Sequence, residues 1–193
     1  MTEIFSIDED FGGTVIASRL HEDINSTLNT ECTGVSVNIP EDGQVQIEFA
    51  QELSTNEKTT LATLVVEHVQ ILLDEEKKKH YRDIDREIER RIRAGFEYPG
   101  ASNRRFSLSV NAQLKWAGLV VSKDMIPYPL RVPTIDDSDY HDIQDATEVA
   151  NMWQYAVGTV KQHISDGTNA KENIKMATTH SEINTIKDQY FGK

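Results

Sequence analysis

The sequence predicts an α+β fold: a small helix–hairpin–helix module, a long connecting helix, and a mixed α+β module at the C-terminus. Three observations predict it. Two runs, VSVNI (35–39) and VQIEF (45–49), alternate apolar and polar residues around Pro40-Glu41-Asp42-Gly43; a period of two on either side of an Asp-Gly turn is a β-hairpin pattern. Thr55 to Ala94 contains neither proline nor glycine, so a helix starting there has no internal breaker. The last hundred residues interleave prolines with apolar stripes at helical spacing, the mark of short strands mixed with helices.

The first block, residues 1–73, opens with an extended segment, FSIDEDFGG. Val15, Ile16, Leu20, Ile24 and Leu28 then recur at spacings of three to four, and Thr33-Gly34 ends the amphipathic helix they imply. After the hairpin, Ser54-Thr55-Asn56-Glu57 forms a capping-box pattern ahead of an apolar run from Leu61. Gly95 is the first plausible C-terminal cap for the helix that follows. A helix of that length would reach ~60 Å at ~1.5 Å per residue, more than a small domain can cover on one side.

Its outer half, residues 74–94, is a charged connector. Acid-to-base pairs such as Asp74–Lys78, Glu75–Lys79 and Glu87–Arg91 stand four apart, which supports helix. Tyr81, Ile84, Ile88 and Ile92 form a narrow apolar seam. Two readings fit: a solvated spacer, or a seam for self-association into a dimer or trimer.

The third block, residues 95–193, begins with Gly95-Phe96-Glu97-Tyr98-Pro99-Gly100 and Arg105-Phe106-Ser107-Leu108, read as short strands around a proline-glycine turn. A helix over Ser109–Val121 carries Val110, Leu114, Ala117 and Val121 along one side. Pro127, Pro129 and Pro133 demand extended chain, and a strand follows over Tyr140–Ile143. Asp145-Ala146-Thr147-Glu148 caps a further helix through Val149, Met152, Trp153, Ala156, Val157 and Val160, stopping near Asp166-Gly167. Two shorter helices finish the chain, the second from about Thr179–Ser181.

The charge is uneven. Of the net −12, residues 1–73 hold 13 acids against 2 bases, residues 74–94 hold 7 against 8, and residues 95–193 hold 12 against 10. An acidic surface of this kind disfavours nucleic acid and anionic membrane as partners. The start, MTEIFSIDEDFGG, has no signal-peptide pattern, and no apolar run approaches the ~18–20 residues of a membrane span. Cys32 is the single cysteine, which leaves no intrachain disulfide or cysteine-based metal site.

The sequence offers no catalytic, cofactor-binding or metal-ligating constellation, so neither an enzyme nor a cofactor is expected. The six histidines include no His-x-His and no His-Glu-x-x-His. His68 reads as a packing residue, and His141 beside Asp139 and Asp142 as part of a turn. Asp136-Asp137-Ser138-Asp139 fails the calcium-loop pattern, because His141 and Thr147 occupy the places of the required glycine and glutamate. Gly12-Gly13 lacks the Gly-Lys-Ser/Thr of a phosphate loop. Trp116 and Trp153 lie on apolar helix faces and read as core. Arg104-Arg105 is a candidate docking pair for an acidic partner, such as the N-terminal block of a neighbouring copy.

Several of these runs resemble a known family. Gly95-Phe96-Glu97-Tyr98, then Phe106-Ser107-Leu108-Ser109-Val110-Asn111-Ala112-Gln113 and Trp116, resemble the start of a C-terminal domain of unknown function found in phage tail-fibre and other virion proteins. Tyr128–Val132, Asp136–Tyr140, Val149–His163 and the closing Ala177–Ile183 match its later elements in order. The N-terminal pattern, with Ile47–Phe49, Leu53-Ser54 and Val65–His68, resembles an accessory module of phage structural proteins. The resemblance implies a bacteriophage virion structural protein associated with tail, tail fibre or baseplate. Such a protein is made in the host cytoplasm and assembles with other phage structural proteins and with copies of itself. A tail-fibre assembly chaperone and a capsid decoration protein are the alternatives. No functional residues carry over.

Overall fold

The computed structural model describes residues 1–38, 43–99 and 104–192. Helices and small antiparallel sheets share the chain, so the mixed α+β class holds. The described residues gather into two compact units. The first comprises Met1–His80 with Asn173–Gln189, the second Tyr81–Glu172 with Tyr190–Lys193. These units cut across the three blocks read from the sequence, because Asn173–Gln189 contribute to the first unit and the connector is divided after His80, its remainder belonging to the second.

In the first unit, β1 (Thr2–Ser6) leads into a short helix α1 (Ile7–Phe11), where an extended segment was expected. The cause is local. Ser6 Oγ accepts the Glu9 N–H at 3.2 Å, and Gly12, at φ 58°, closes the turn in the left-handed region. Helix α2 (Ala17–Thr27) buries Leu20 and Ile24, the stripe expected of it. The strands β2 (Cys32–Asn38) and β3 (Gln44–Phe49) pair antiparallel, with Val35 opposite Ile47 and Val37 opposite Val45. Strand β1 adds to the free edge of β3, giving the order β1-β3-β2. Residues 40–42 of the expected turn lie outside the described residues. Strand β3 alternates as its pattern demands: Val45, Ile47 and Phe49 face a core with Phe11, Leu20, Ile24, Leu61 and Val65.

Helix α3 runs unbroken over Thr55–Arg93. The capping box forms at its start. Glu57 accepts the Ser54 hydroxyl at 2.7 Å and the Ser54 N–H at 3.0 Å, while Ser54 Oγ accepts the Glu57 N–H at 3.3 Å. Glu57 also accepts the Thr30 N–H at 3.0 Å, tying the end of α2 to this corner. These donors, the Ser54 hydroxyl first, hold the Glu57 carboxyl down at about 2. Gly95 ends the helix at φ 84°, where a Cβ would lie 2.2 Å from the Phe106 carbonyl oxygen. Only glycine fits both conditions.

The second unit holds two short antiparallel pairs. Strand β4 (Phe96–Glu97) pairs with β5 (Arg105–Phe106), and β6 (Leu130–Pro133) with β7 (Tyr140–Ile143). Helix α4 (Val110–Ser122) starts at Ser109, whose hydroxyl accepts the Ala112 N–H at 3.3 Å. A core of Phe96, Phe106, Leu108, Trp116, Ile143 and Met152 joins these elements to α5 (Ala146–Met176). The Asp145 cap forms, with Asp145 Oδ1 accepting the Glu148 N–H at 2.9 Å.

Helix α5 does not stop at Asp166-Gly167 but continues to Met176, and only α6 (His180–Phe191) follows it. Gly167 is no terminator. A Cβ there would meet Ile88 Cδ1 at 2.3 Å and Cγ1 at 2.6 Å, so the glycine admits a close approach of α3 within the second unit.

Candidate functional site

The seam expected to join copies is occupied within the chain. Ile84 is fully buried, Ile88 lies against Gly167, Ile92 packs on the second core, and Tyr81 is half-buried. The last turns of α3 are also bound by polar contacts. Arg91 donates to Glu87 at 2.7 Å and to the Tyr190 carbonyl at 2.7 Å, with its guanidinium 4.6 Å from the Tyr190 ring centroid. Lys171 pairs with Asp85. An apolar strip in a charged helix can face a partner copy or the chain's own return, and here it faces its own.

The Arg104-Arg105 pair is likewise engaged internally. Arg104 Nε meets Asp139 at 2.8 Å and Arg105 meets Glu97 at 3.1 Å. Asp142 pairs with Arg131 at 2.7 Å. The acidic turn organises itself: Thr134 Oγ1 donates to Asp136 at 2.8 Å, and the Ser138 N–H adds a contact at 3.2 Å. Hydrogen bonds from Ser138 and Thr134 hold Asp136 at about 2.

Four histidines, His68, His80, His141 and His180, have carboxylate neighbours. His141 Nε2 meets Glu148 at 2.9 Å while its ring stands edge-on to Tyr98 and Phe106, which makes it a buttress of the second core. Glu76 lies between His80, at 3.5 Å, and His180 at the start of α6. His68 is buried against Phe11, and its Nε2 accepts the Ile16 N–H at 3.2 Å. That bond requires an unprotonated Nε2, so the neutral ring carries its proton on Nδ1, 3.9 Å from Asp23. Burial pushes the His68 imidazole below its ordinary value. Ile16 precedes α2 and has no side-chain cap, so His68 supplies a partner that the local sequence does not.

Against protein-family models, curated proteins and solved structures, the chain matches none. Among the described residues no group of three or more His, Cys, Asp or Glu is arranged to hold a metal ion, and no helix is long and apolar enough to cross a membrane.

One surface of the second unit stands out chemically. A groove of about 500 Å³ is lined by Leu108 just before α4, by Gln113 on α4, and by Trp153, Val157, Val160 and Ile164 on α5. Alongside it, α4 turns outward the stripe that its spacing had marked. Val110, Leu114 and Val121 are 75%, 68% and 84% exposed, while Trp116 is buried and Ala112, Leu119 and Val120 pack on the core. Helix α4 is therefore apolar on two faces, and the chain covers one. The signal was in the sequence: Phe106 to Ser122 contains one charged residue, Lys115. Periodicity found the stripe but not which of the two apolar faces would be inside. Trp153, read as core, is half-buried in the groove wall.

Proposed function

We propose that this chain is a structural protein of a bacteriophage particle, associated with tail, tail fibre or baseplate. It acts by protein–protein assembly and not by catalysis, and its partners are other phage structural proteins and copies of itself. One observation carries the reading. The residues that resemble the phage-type C-terminal domain, Phe96, Tyr98, Phe106, Leu108 and Trp116, are the buried core of the second unit. A resemblance seated in side chains that must pack together is a resemblance of a folded module, not of surface composition. The uncovered apolar face of α4 and α5 adds support, since exposed apolar surface of this kind marks contact sites.

Immunodetection of the chain in purified particles from an infected culture tests the reading. The expected result is co-purification with intact particles through density-gradient banding. Recovery only in the soluble lysate would reject the particle role in favour of an assembly chaperone.

A further inference from the structure

We infer that the exposed face of α4 and the groove beside it form a two-fold self-contact, in which the ridge of one copy seats in the groove of the other. This rests on the assembly reading above and names its surface. The ridge is Val110, Leu114 and Val121, with Ala117 and Gly118 between them. The small pair lets another helix come close, and Gly118 has nothing within 4 Å of where a Cβ would stand. On a helix, residues 110, 114, 117 and 121 share a side that adjoins Gln113, which itself lines the groove. Ridge and groove are thus neighbours on one surface. That is the arrangement an isologous contact needs, because each copy must offer both halves at once.

Charge and area choose the occupant. A two-fold contact sets each charge near its own duplicate, which is costly for a chain with a net charge of −12. This face escapes the cost. Helix α4 carries only Lys115, which lies on the opposite flank beside Trp116 and Val132, and the groove wall carries only Lys161. Nucleic acid, anionic lipid or a strongly charged protein would find little here to pair with. Val110, Leu114 and Val121, with Val157 and Ile164 on α5, expose an area on the order of 550 Å², the greater part of the ~800 Å² per partner of a standard interface.

The full chain is tested by light scattering after size exclusion. The wild type should have twice the 21.9 kDa chain mass. The Leu114→Glu/Val121→Glu chain should run at the single-chain mass with unchanged circular dichroism, since both side chains stand in solvent within the single chain, and its melting should lose the concentration dependence expected of the wild type. Gly118→Arg, whose Cβ would have nothing within 4 Å, should do the same by a different route. Mixing Leu114→Cys protein with Val157→Cys protein under mild oxidant should give a disulfide-linked mixed dimer, with Cys32 buried away from the reaction. A wild type of single-chain mass, or a dimer that both variants leave intact, overturns the contact. A single-chain species recovered in purified particles would overturn the contact while leaving the particle role standing. A dimer that never enters particles would do the reverse.

Discussion

Replacing Gly167 by alanine asks whether α3 and α5 touch as closely as the second unit requires. In an open helix the change should stabilise, because glycine costs about 1 kcal/mol relative to alanine there. Here the new methyl group would stand 2.3 Å from Ile88 Cδ1, 2.6 Å from Cγ1 and 3.2 Å from Tyr190 Oη. Ile88 is β-branched and stiff at χ1, so it can yield only at its tip. Overpacking costs about 1–3 kcal/mol. Two contacts well under 3.0 Å put this site in the upper part, about 2–3 kcal/mol. Less the glycine gain of about 1 kcal/mol, the net expectation is a loss of about 1–2 kcal/mol. For a chain of this length that lowers the melting temperature by roughly 2–8 °C. Ile88→Ala alone removes part of a half-buried side chain and should cost about 1–2 kcal/mol, below the range for a fully buried isoleucine. The two changes together restore the space, so in the Ile88→Ala background Gly167→Ala should stabilise by about 1 kcal/mol. The sign therefore reverses, with a coupling of about 2–3 kcal/mol. Urea and thermal unfolding of the four proteins, followed by circular dichroism, measure it. A Gly167→Ala effect of one sign and size in both backgrounds would refute the packing argument and reduce Gly167 to a weak point in a helix.

Two further outcomes follow from burial. Ile84→Lys places a charge where no solvent reaches, so it should cost about 3 kcal/mol or more and report on folding, not on assembly; a well-folded chain of altered mass would return the seam to the role of an interface. Burial lowers the folded-state value of both His68 and His163. A group so depressed contributes stability that is whole above the ordinary imidazole value, about 6.5. That stability is lost as pH falls from there through the lower folded value. At His68 the neighbours are Asp23, Glu75 and Arg19, and the bond at risk is that from the Ile16 N–H. Melting should fall as pH drops below the ordinary imidazole value of about 6.5, and His68→Gln, which keeps an acceptor and cannot titrate, should flatten that limb. His68→Leu should cost about 1–3 kcal/mol at neutral pH by leaving the Ile16 N–H unbonded. A melting profile with the same slope in His68→Gln would exclude the ring as the source.

What the sequence determined by itself was local. The caps at Ser54 and Asp145, the stop at Gly95, the alternation of Val45, Ile47 and Phe49, and the core role of Trp116 all depend on residues within a few positions of one another. Short-range hydrogen bonds and side-chain period carry that information. Tertiary structure decided whatever depended on a remote surface. Gly167 reads as a stop until Ile88, far away in the chain, is known to lie against it. Tyr81, Ile84, Ile88 and Ile92 read as a seam, and period alone cannot say which helix fills it. Helix α4 has two apolar faces, and only the packing of Phe96, Phe106 and Met152 selects the Trp116 side as inside and leaves Val110, Leu114 and Val121 in solvent. An apolar pattern states that a face must be covered; which surface covers it is set by the whole fold.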